Sequence, residues 1–313
     1  MAPIGCSVLI ASHGEALYLR RVLNALAIQT YTDFDVVLID NNSRAHLSEK
    51  IADLFGGRMR IIHEPQVGLS RARNLAMTHA KGKYVAFLDD DAVPDPSWLA
   101  ALLAGLCQYG VSVVGGSIRL GFQAKMPDWL GIEHRLLLAE LLYNGHDIPS
   151  IGASQYICGG NMATYASTFE RVGGFAESFG RVGSLLRSSE ELEWCRRVQA
   201  VGSSVAFIYS AQVEHLIGPS RLKLSYFYRR GYWQGRSDAL LESRHGRPAE
   251  FGLRSNRQNV AELIRRFAAL LCSRNIRISV SNSTALAREL GYSIQYAKLH
   301  VASRRTANTD SKE

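Results

Sequence analysis

Three consecutive carboxylates, Asp89, Asp90 and Asp91, follow directly after the apolar run 84–88. That run has the length and the continuous hydrophobicity of a strand buried on both faces of a parallel sheet. Ligands of such sheets bind beyond the carboxyl ends of the strands, so the acids would stand at a binding edge. Carboxylate oxygens suit Mg2+ or Mn2+, which keep water and phosphate as other ligands. The triplet therefore predicts a metal site for a phosphorylated ligand, and an Asp-rich turn is the competing interpretation.

A second acidic pair, Glu190 and Glu191, stands where a glycine-containing loop over 173–189 runs into a predicted helix. A carboxylate held at a helix terminus below a loop could serve as a general base. Ser188 and Glu191 also have the spacing of a helix capping box, and spacing alone favours that interpretation. His215 ends a short predicted strand, where it is either a metal ligand or a structural histidine.

Polar groups also follow the earlier strands of the chain. Asp40 comes after the apolar run 34–39, and the loop 12–15, which contains Ser12 and Glu15, follows the first strand. Arg71 and Asn74 share one face near the start of a predicted helix whose N-terminal cap is Ser70. They either bind an anionic ligand at the positive end of that helix or belong to its ordinary surface.

Two further stretches carry open alternatives. Gly160 and Asn161 lie in a glycine-containing strand pattern over 156–165, which indicates either a bulge beside a ligand or simple packing. Arg229 and Arg230 stand beside an aromatic stripe on a predicted helix. Arginines in that position fit contact with a diphosphate or a lipid phosphate, and they equally fit long side chains that cover an apolar face.

The elements that would position these residues alternate as strand and helix through the first hundred residues, which predicts an α/β fold with a mostly parallel sheet. No GxGxxG or GxxxxGK[ST] motif is present, so a nucleotide would be held by side chains and a metal. Shorter strands are predicted over 113–120, 204–209 and 212–215, and a helix over 133–143. We expect a catalytic domain over 1–218, with a nucleotide-binding half to about 112 and an acceptor-side half over about 113–218. A basic helical region is expected over 219–313.

Composition limits the partners and the compartment of the protein. The chain has 313 residues, 47% of them hydrophobic, and five scattered cysteines that read as reduced thiols of a cytoplasmic protein. No leader and no apolar window of about 20 residues is visible, which predicts a soluble or peripheral protein. Residues 219–313 hold 18 Lys and Arg against 7 Asp and Glu, and an amphipathic helix is predicted over 256–271. This basic region suits an anionic membrane surface, and no nucleic-acid-binding signature accompanies it.

With these pieces placed, the chain resembles the family 2 glycosyltransferases, enzymes of the GT-A fold that transfer a sugar from a nucleotide donor. The resemblance lies in SVLIAS at 7–12, DNNS at 40–43, GLSRARNLA at 68–76, FLDDDAVPDPSWL at 87–99, CGGNMA at 158–163, SEELEWCRRVQAVG at 189–202 and VEHL at 213–216. The order and spacing of these segments make the combination far more specific than any one of them.

The resemblance implies roles for the acidic candidates. Asp40 would hold the base of the nucleotide, Asp89 would lie near the ribose, and Asp91 would contact the metal. Glu191 or Glu190 would be the catalytic base, with Glu191 where the family usually has Asp. Together with the inferences from the residues themselves, this gives a predicted donor-binding set of Ser12, Glu15, Asp40, Arg71, Asn74, Asp89 and Asp90. The predicted acceptor or diphosphate side is Gly160, Asn161, Arg229 and Arg230, and the predicted metal ligands are Asp91, Asp89 and His215. The loop that begins at Ser12 departs from the family pattern, which leaves its contacts with the base open.

The implied activity is inverting, Mn2+- or Mg2+-assisted transfer from a nucleotide-diphosphate sugar, with a UDP-sugar expected, to a hydroxyl of a glycan or lipid-linked acceptor. Such an enzyme would serve polysaccharide biosynthesis in the cytoplasm, with peripheral contact at the inner face of the membrane through the basic helices. Two alternatives are an aspartyl-phosphate phosphatase, because FLDDDAV fits its DxDx[TV] motif, and a nucleotide- or glycan-binding pseudoenzyme. The phosphatase motif belongs on a first strand with a later GDxxxD, and neither condition is met.

Overall fold

The computed structural model describes residues 5–13, 16–41, 53–152, 155–245, 265 and 275–310, with side chains of the last helix described as far as Val301. The chain divides into two compact units. The first comprises Met1–Gln123, Ala139–Gly183 and Glu190–Ile217, and the second comprises Ala124–Leu138, Ser184–Ser189 and Gly218–Glu313. The amphipathic helix predicted over 256–271 and the fifth cysteine, Cys272, lie outside the described residues, apart from Arg265.

The first unit is built on a sheet whose strands, in the described part of the chain, run in the spatial order β3-β2-β1-β4-β7-β6-β8-β5. The strands are β1 (Cys6–Ser12), β2 (Phe34–Asp40), β3 (Met59–His63), β4 (Tyr84–Asp89), β5 (Ala92–Pro94), β6 (Val113–Phe122), β7 (Asn161–Tyr165) and β8 (Val205–Ile217). Neighbours among β1 to β4 are parallel, β7 is antiparallel to β4 and β6, and β8 is parallel to β6 and antiparallel to β5. The α/β prediction is confirmed.

In the described part of the chain, the α-helices of the first unit are α1 (Ala16–Ala27), α2 (Leu69–His79), α3 (Trp98–Tyr109), α5 (Ala166–Val172) and α6 (Glu190–Ala200). Those of the second unit are α4 (Ile132–Arg135), α7 (Leu224–His245) and α8 (Ile276–Asp310). The central strands β1, β2 and β4 are nearly continuous apolar runs because helices and loops bury both faces of the parallel part of the sheet. Trp98 of α3 and Trp194 of α6 are fully buried in the resulting core.

One continuous strand, β8, replaces the two short strands predicted over 204–209 and 212–215. The polar residues between the two apolar runs lie in an irregularity of the pairing and do not end the strand. Gly116 of β6 pairs with Ile208, and Ile118 pairs with Val213, so β8 carries extra residues opposite Ser117. The amide of Asn161 closes this bulge by donating to the carbonyl oxygens of its two sides.

Three other local predictions are wrong for identifiable reasons. The strand predicted over 156–165 begins only at Asn161, so the two glycines before it lie in a turn. An α-helix is predicted over 133–143, but the observed α-helix, α4, is much shorter. Ala139 and Tyr143 have positive φ angles, which an α-helix cannot include. Ser70 is not the cap of α2, since the helix begins at Leu69 and the Ser70 hydroxyl donates to the Phe179 carbonyl oxygen.

The second unit contains two long helices, α7 and α8, that pack closely through glycine. A Cβ atom at Gly235 would overlap the carbonyl oxygen of Arg288, and one at Gly291 would overlap that of Tyr232. The backbones therefore approach at points where no larger residue fits. Polar contacts between α7 and α8 also stabilise their packing, among them the ion pair between Arg288 and Asp238 at 2.7 Å.

A buried histidine joins α4 to these helices within the second unit. His134 packs edge-to-face against Trp129 and Phe227, and its side chain is 2% exposed. The Gly131 amide donates to Nδ1 at 3.2 Å, and Nε2 lies 3.0 Å from the Ser281 hydroxyl. Nδ1 is therefore the unprotonated nitrogen and Nε2 carries the proton. Burial lowers the pKa of His134; the nearby Glu133 carboxylate opposes this shift and Arg277 adds to it.

We expect acid to destabilise the protein through His134. Below its ordinary pKa near 6.5 the unfolded chain takes up a proton that the folded state refuses, so stability falls by up to about 1.4 kcal/mol per pH unit crossed. His134→Phe keeps the ring packing but does not titrate. Urea unfolding between pH 7.5 and 5.5 should show a smaller loss of free energy for this variant than for the wild type. The exposed His146→Gln serves as control, and equal slopes for His134→Phe and wild type would contradict the prediction.

Candidate active site

The carboxyl ends of β1, β2 and β4 bring three of the predicted residues to one edge of the sheet. Ser12 pairs with Asp40 in the β1–β2 register, and Ala11 pairs with Asp89 in the β1–β4 register. Gly160 joins them, because its carbonyl oxygen accepts a hydrogen bond from the Asp89 amide at 3.2 Å. Parallel strands thus collect side chains that are far apart in sequence, as the position of the Asp triplet predicts.

Two of the predicted donor-binding acids, Asp40 and Asp90, differ in their surroundings. The Asp40 side chain is 16% exposed and lies 3.6 Å from Nδ1 of His63 on the neighbouring strand. The Ser12 hydroxyl donates to Asp90 at 2.7 Å, which joins the loop after β1 to the loop after β4. Glu15, the other residue predicted in the first loop, lies outside the described residues.

Asp91, the residue after Asp90, forms a separate pair with His215. Oδ1 of Asp91 lies 3.5 Å from Nε2 of His215, and both residues are buried. The short strand β5 fixes them, because Ala92 pairs directly with His215 and the Leu216 amide donates to the Asp91 carbonyl oxygen. Asp89, the third predicted metal ligand, is engaged elsewhere. Within the described residues, no group of three or more His, Cys, Asp and Glu side chains is gathered as a metal would require.

Arg73, which the sequence analysis did not single out, is the buried centre of the site. Its Nη2 lies 2.8 Å from Oδ1 of Asp89, and its Nη1 lies 2.9 Å from Oε1 of Glu190. The Arg73 side chain is 4% exposed. Burial acts to lower the pKa of Arg73, but the carboxylates of Asp89, Glu190 and Glu191 outweigh burial and raise it. The guanidinium therefore remains charged between the strand end and the start of α6.

A signal for Arg73 was present in the sequence. Ser70, Arg73 and Ala76 recur at helical spacing along the buried face of α2, so the arginine had to point inward with a partner.

A second overlooked residue is Asn41, which is buried after β2. Its amide donates to the carbonyl oxygens of Glu64 and Gln66, and its Oδ1 accepts from the Gly68 amide.

The two glycines before β7 make room for the ion pair. A Cβ atom at Gly160 would overlap the Asp89 carboxylate, and one at Gly159 would lie 2.6 Å from Nη1 of Arg73. The close approach that the glycine pattern indicates is thus an approach of backbone to a salt bridge. Asn161, predicted to face the acceptor or diphosphate, is instead a fully buried core residue whose amide also accepts from the Trp98 indole at 2.8 Å.

Glu190 and Glu191 have different environments although they are adjacent. Glu190 is 5% exposed and its Oε1 is held by Arg73, while its Oε2 has no hydrogen-bond partner among the described residues. Glu191 is partly exposed and lies close enough to contribute to the electrostatics of Arg73 and of the Cys195 thiol.

Burial, with a smaller contribution from Glu191, raises the pKa of Cys195, so this thiol is not a nucleophile. The capping-box hydroxyl of Ser188 donates to Gln234 and does not cap α6.

Arg71 and Asn74 hold the segment before α6 against α2. Arg71 forms an ion pair with Glu177 at 2.8 Å, and the Asn74 amide exchanges two hydrogen bonds with the backbone of Phe175. These contacts fit neither alternative of the sequence analysis fully, since both residues bind protein groups. Arg229 and Arg230 lie on α7 in the second unit, where they donate to the Ser184 carbonyl oxygen and the Ser188 hydroxyl.

The described part of the chain has no helix that is both long enough and apolar enough to cross a membrane. Cys6, Cys107, Cys158 and Cys195 are free thiols, of which Cys6 and Cys195 are buried.

Comparison with known proteins agrees with this geometry. Residues 7–172 match the sequence profile described as Glycosyl transferase family 2. Glucosyl-dolichyl phosphate glucuronosyltransferase of Haloferax volcanii is 23% identical over 247 residues, which cover 75% of this chain and 77% of that protein. Pre-mycofactocin glycosyltransferase of Mycobacterium tuberculosis is 25% identical over 244 residues, which cover 76% of this chain and 48% of that protein.

Solved structures with the same fold include two with nucleotide ligands. The mannosyltransferase PcManGT of Pyrobaculum calidifontis, in complex with GDP-Man and Mn2+, superposes with a TM-score of 0.63 at 17% identity over 93% of this chain and 86% of that one. TarS of S. aureus, residues 1–349 in complex with UDP, superposes with a TM-score of 0.52 at 13% identity over 95% of this chain and 92% of that one. The GT-A expectation is confirmed. The chain is a glycosyltransferase and belongs to glycosyl transferase family 2.

Proposed function

We propose that this glycosyltransferase moves a sugar from a nucleotide-diphosphate donor to a hydroxyl acceptor, with inversion at the anomeric carbon and with help from a divalent metal. The observation that carries the proposal is the Arg73 bridge, since it ties the donor-side acid Asp89 to the start of α6, where the candidate bases lie. Donor binding and proton transfer would thereby share one rigid site.

The donor would lie across the carboxyl ends of β1, β2 and β4. Asp40 accepts a hydrogen bond from the nucleotide base, and Asp89 contacts the ribose through the part of its side chain, 39%, that remains exposed beside Arg73. TarS binds UDP and PcManGT binds GDP-Man, so nucleotide diphosphates suit this fold. A UDP-sugar remains the expected donor of this chain.

Asp91 and His215 would hold the metal. A carboxylate and an imidazole suit Mn2+, and a site with so few protein ligands leaves positions for water and the diphosphate. When bound, the metal neutralises negative charge on the leaving diphosphate. The predicted contact of Arg229 and Arg230 with the diphosphate stays a prediction.

Glu191 is the proposed base, because Glu190 is buried with its charge compensated by Arg73. The acceptor oxygen attacks the anomeric carbon, the bond from that carbon to the diphosphate oxygen breaks, and its electron pair leaves with the diphosphate. The acceptor proton passes to the Glu191 carboxylate. A base on the face opposite to the leaving group gives inversion.

The acceptor would be a glycan or a lipid-linked glycan, as in polysaccharide biosynthesis. The name of the Haloferax volcanii relative refers to a dolichyl phosphate compound, and α7 of this chain carries arginines, one of which, Arg236, stacks on Trp233. We propose a cytoplasmic enzyme whose basic helices contact anionic lipid at the inner membrane face.

A phosphatase activity is not proposed, because the would-be nucleophile Asp89 is bound to Arg73.

A panel of nucleotide sugars tests the function directly. With Mn2+ present, the purified protein should hydrolyse or transfer from one member of a UDP- and GDP-sugar panel and release the nucleoside diphosphate. Phosphate release from a simple phosphomonoester, without any nucleotide-sugar turnover, would instead favour the hydrolase alternative.

Asp91→Asn should weaken UDP binding in the presence of Mn2+, because the metal loses a charged ligand. The loss should be at least as large as the ~10–100-fold that removal of a metal ligand's hydrogen-bond partner costs. Isothermal titration with UDP measures it, with the exposed Asp53→Asn as matched control. UDP affinity that survives chelation of the metal in the wild type would remove the metal from the proposal.

Glu191→Gln should lower kcat by about 10²–10⁴ while the dissociation constant for the donor nucleotide stays near the wild-type value, since only proton transfer is lost. The exposed Glu170→Gln on α5 is the matched control. Steady-state kinetics together with titration separates the two quantities, and near-wild-type turnover of Glu191→Gln would show that another group is the base.

A further inference from the structure

The Arg73 bridge has an unequal distribution of exposure among its three members. The side chains of Arg73 and Glu190 are 4% and 6% exposed, whereas that of Asp89 is 39% exposed. Asp89 is therefore the one member that reaches a ligand from this network. Glu190, which comes from a position 117 residues later than Arg73, is behind the guanidinium and out of solvent.

Glu190 depends on Arg73 for its compensation. Oε1 of Glu190 accepts from Arg73, and Oε2 has no hydrogen-bond partner in the described part of the chain. In a buried setting the attraction between such charges is strong and poorly screened. A change in the charge of Glu190 must therefore alter how tightly Arg73 holds its other carboxylate, Asp89.

We propose that Arg73 is a positioning residue through which Glu190 controls donor affinity, so that the start of α6 and the donor edge of the sheet are energetically coupled. Glu190 and Asp89 share the guanidinium, and their competition leaves the Asp89 carboxylate with enough free charge to accept from the ribose. Without the Glu190 charge, Arg73 draws Asp89 fully to itself, and the donor contact weakens. This inference rests on the proposed function.

The neighbouring ion pair on α6 offers a matched comparison. Glu193 is 2% exposed and pairs with Arg197 at 3.0 Å, and Arg197 also binds the carbonyl oxygens of Val172 and Gly174. Glu193 is as buried as Glu190 and lies on the same helix, whereas its partner Arg197 is 27% exposed. The Glu193 pair leads to a loop and not to Asp89. If both acids had a purely structural role, substitution of Glu190 and substitution of Glu193 would change donor affinity equally.

The test is titration of UDP with Mn2+ into the full-length wild type, Glu190→Gln and Glu193→Gln, with thermal unfolding of each. We expect both variants to lose stability, but only Glu190→Gln to bind UDP about 5-fold or more weakly, the lower end of common coupling factors. Arg73→Lys, whose single ammonium lacks the planar fork, should reduce the effect of adding Glu190→Gln.

Each outcome separates the two proposals. A wild type that binds neither UDP nor GDP overturns the proposed function and this coupling with it. A wild type that binds UDP, with Glu190→Gln and Glu193→Gln equally unaffected or equally weakened, overturns the coupling alone. If Glu190→Gln does not fold, hydrogen exchange of the wild type decides the matter: UDP with Mn2+ should slow exchange over 190–194, and unchanged exchange there contradicts the coupling.

Discussion

A buried guanidinium in the first unit holds together two carboxylates that would otherwise repel each other. Arg73 lies between Asp89 at the end of β4 and Glu190 at the start of α6, with almost no exposure to solvent. An unpaired ion as buried as Arg73 or Glu190 would cost several kcal/mol, so these two residues require each other. The turn before β7, the start of α6 and the buried face of α2 are all arranged around this compensation.

The sheet edge could be predicted from the sequence because its causes are local. The strands β1, β2 and β4 are short apolar runs that end in polar residues, and the parallel topology then requires their ends to meet. The grouping of Ser12, Asp40 and Asp89 follows from that rule alone. The pairing of Asp91 with His215 was a matter of resemblance, and the structure supplies its cause in the antiparallel contact of β5 with β8.

What could not be predicted depends on contacts between distant parts of the chain. Two arginines stand two positions apart in SRARN, and the periodicity of α2 indicates which one is buried, but the identity of its second partner on α6 cannot be read locally. Likewise, the glycines before β7 and the amide of Asn161 suit a ligand or the core equally well until their neighbours are known. The polar residues within β8 predict the end of a strand when only the sequence is considered, but in the structure they lie in a bulge of one continuous strand.

That bulge also decides which side chain of β8 reaches Asp91. Along a regular strand, residues an even number apart share a face. In β8, Ile208 and Val213 are an odd number apart, yet they pair with Gly116 and Ile118, which share a face of β6. The bulge thus inverts the alternation of everything after it, so that His215 occupies the face its neighbours would have had in an unbroken strand. Loss of a single residue from 209–212 would reverse this phase and turn the imidazole away, with every side chain of the site still present in the sequence.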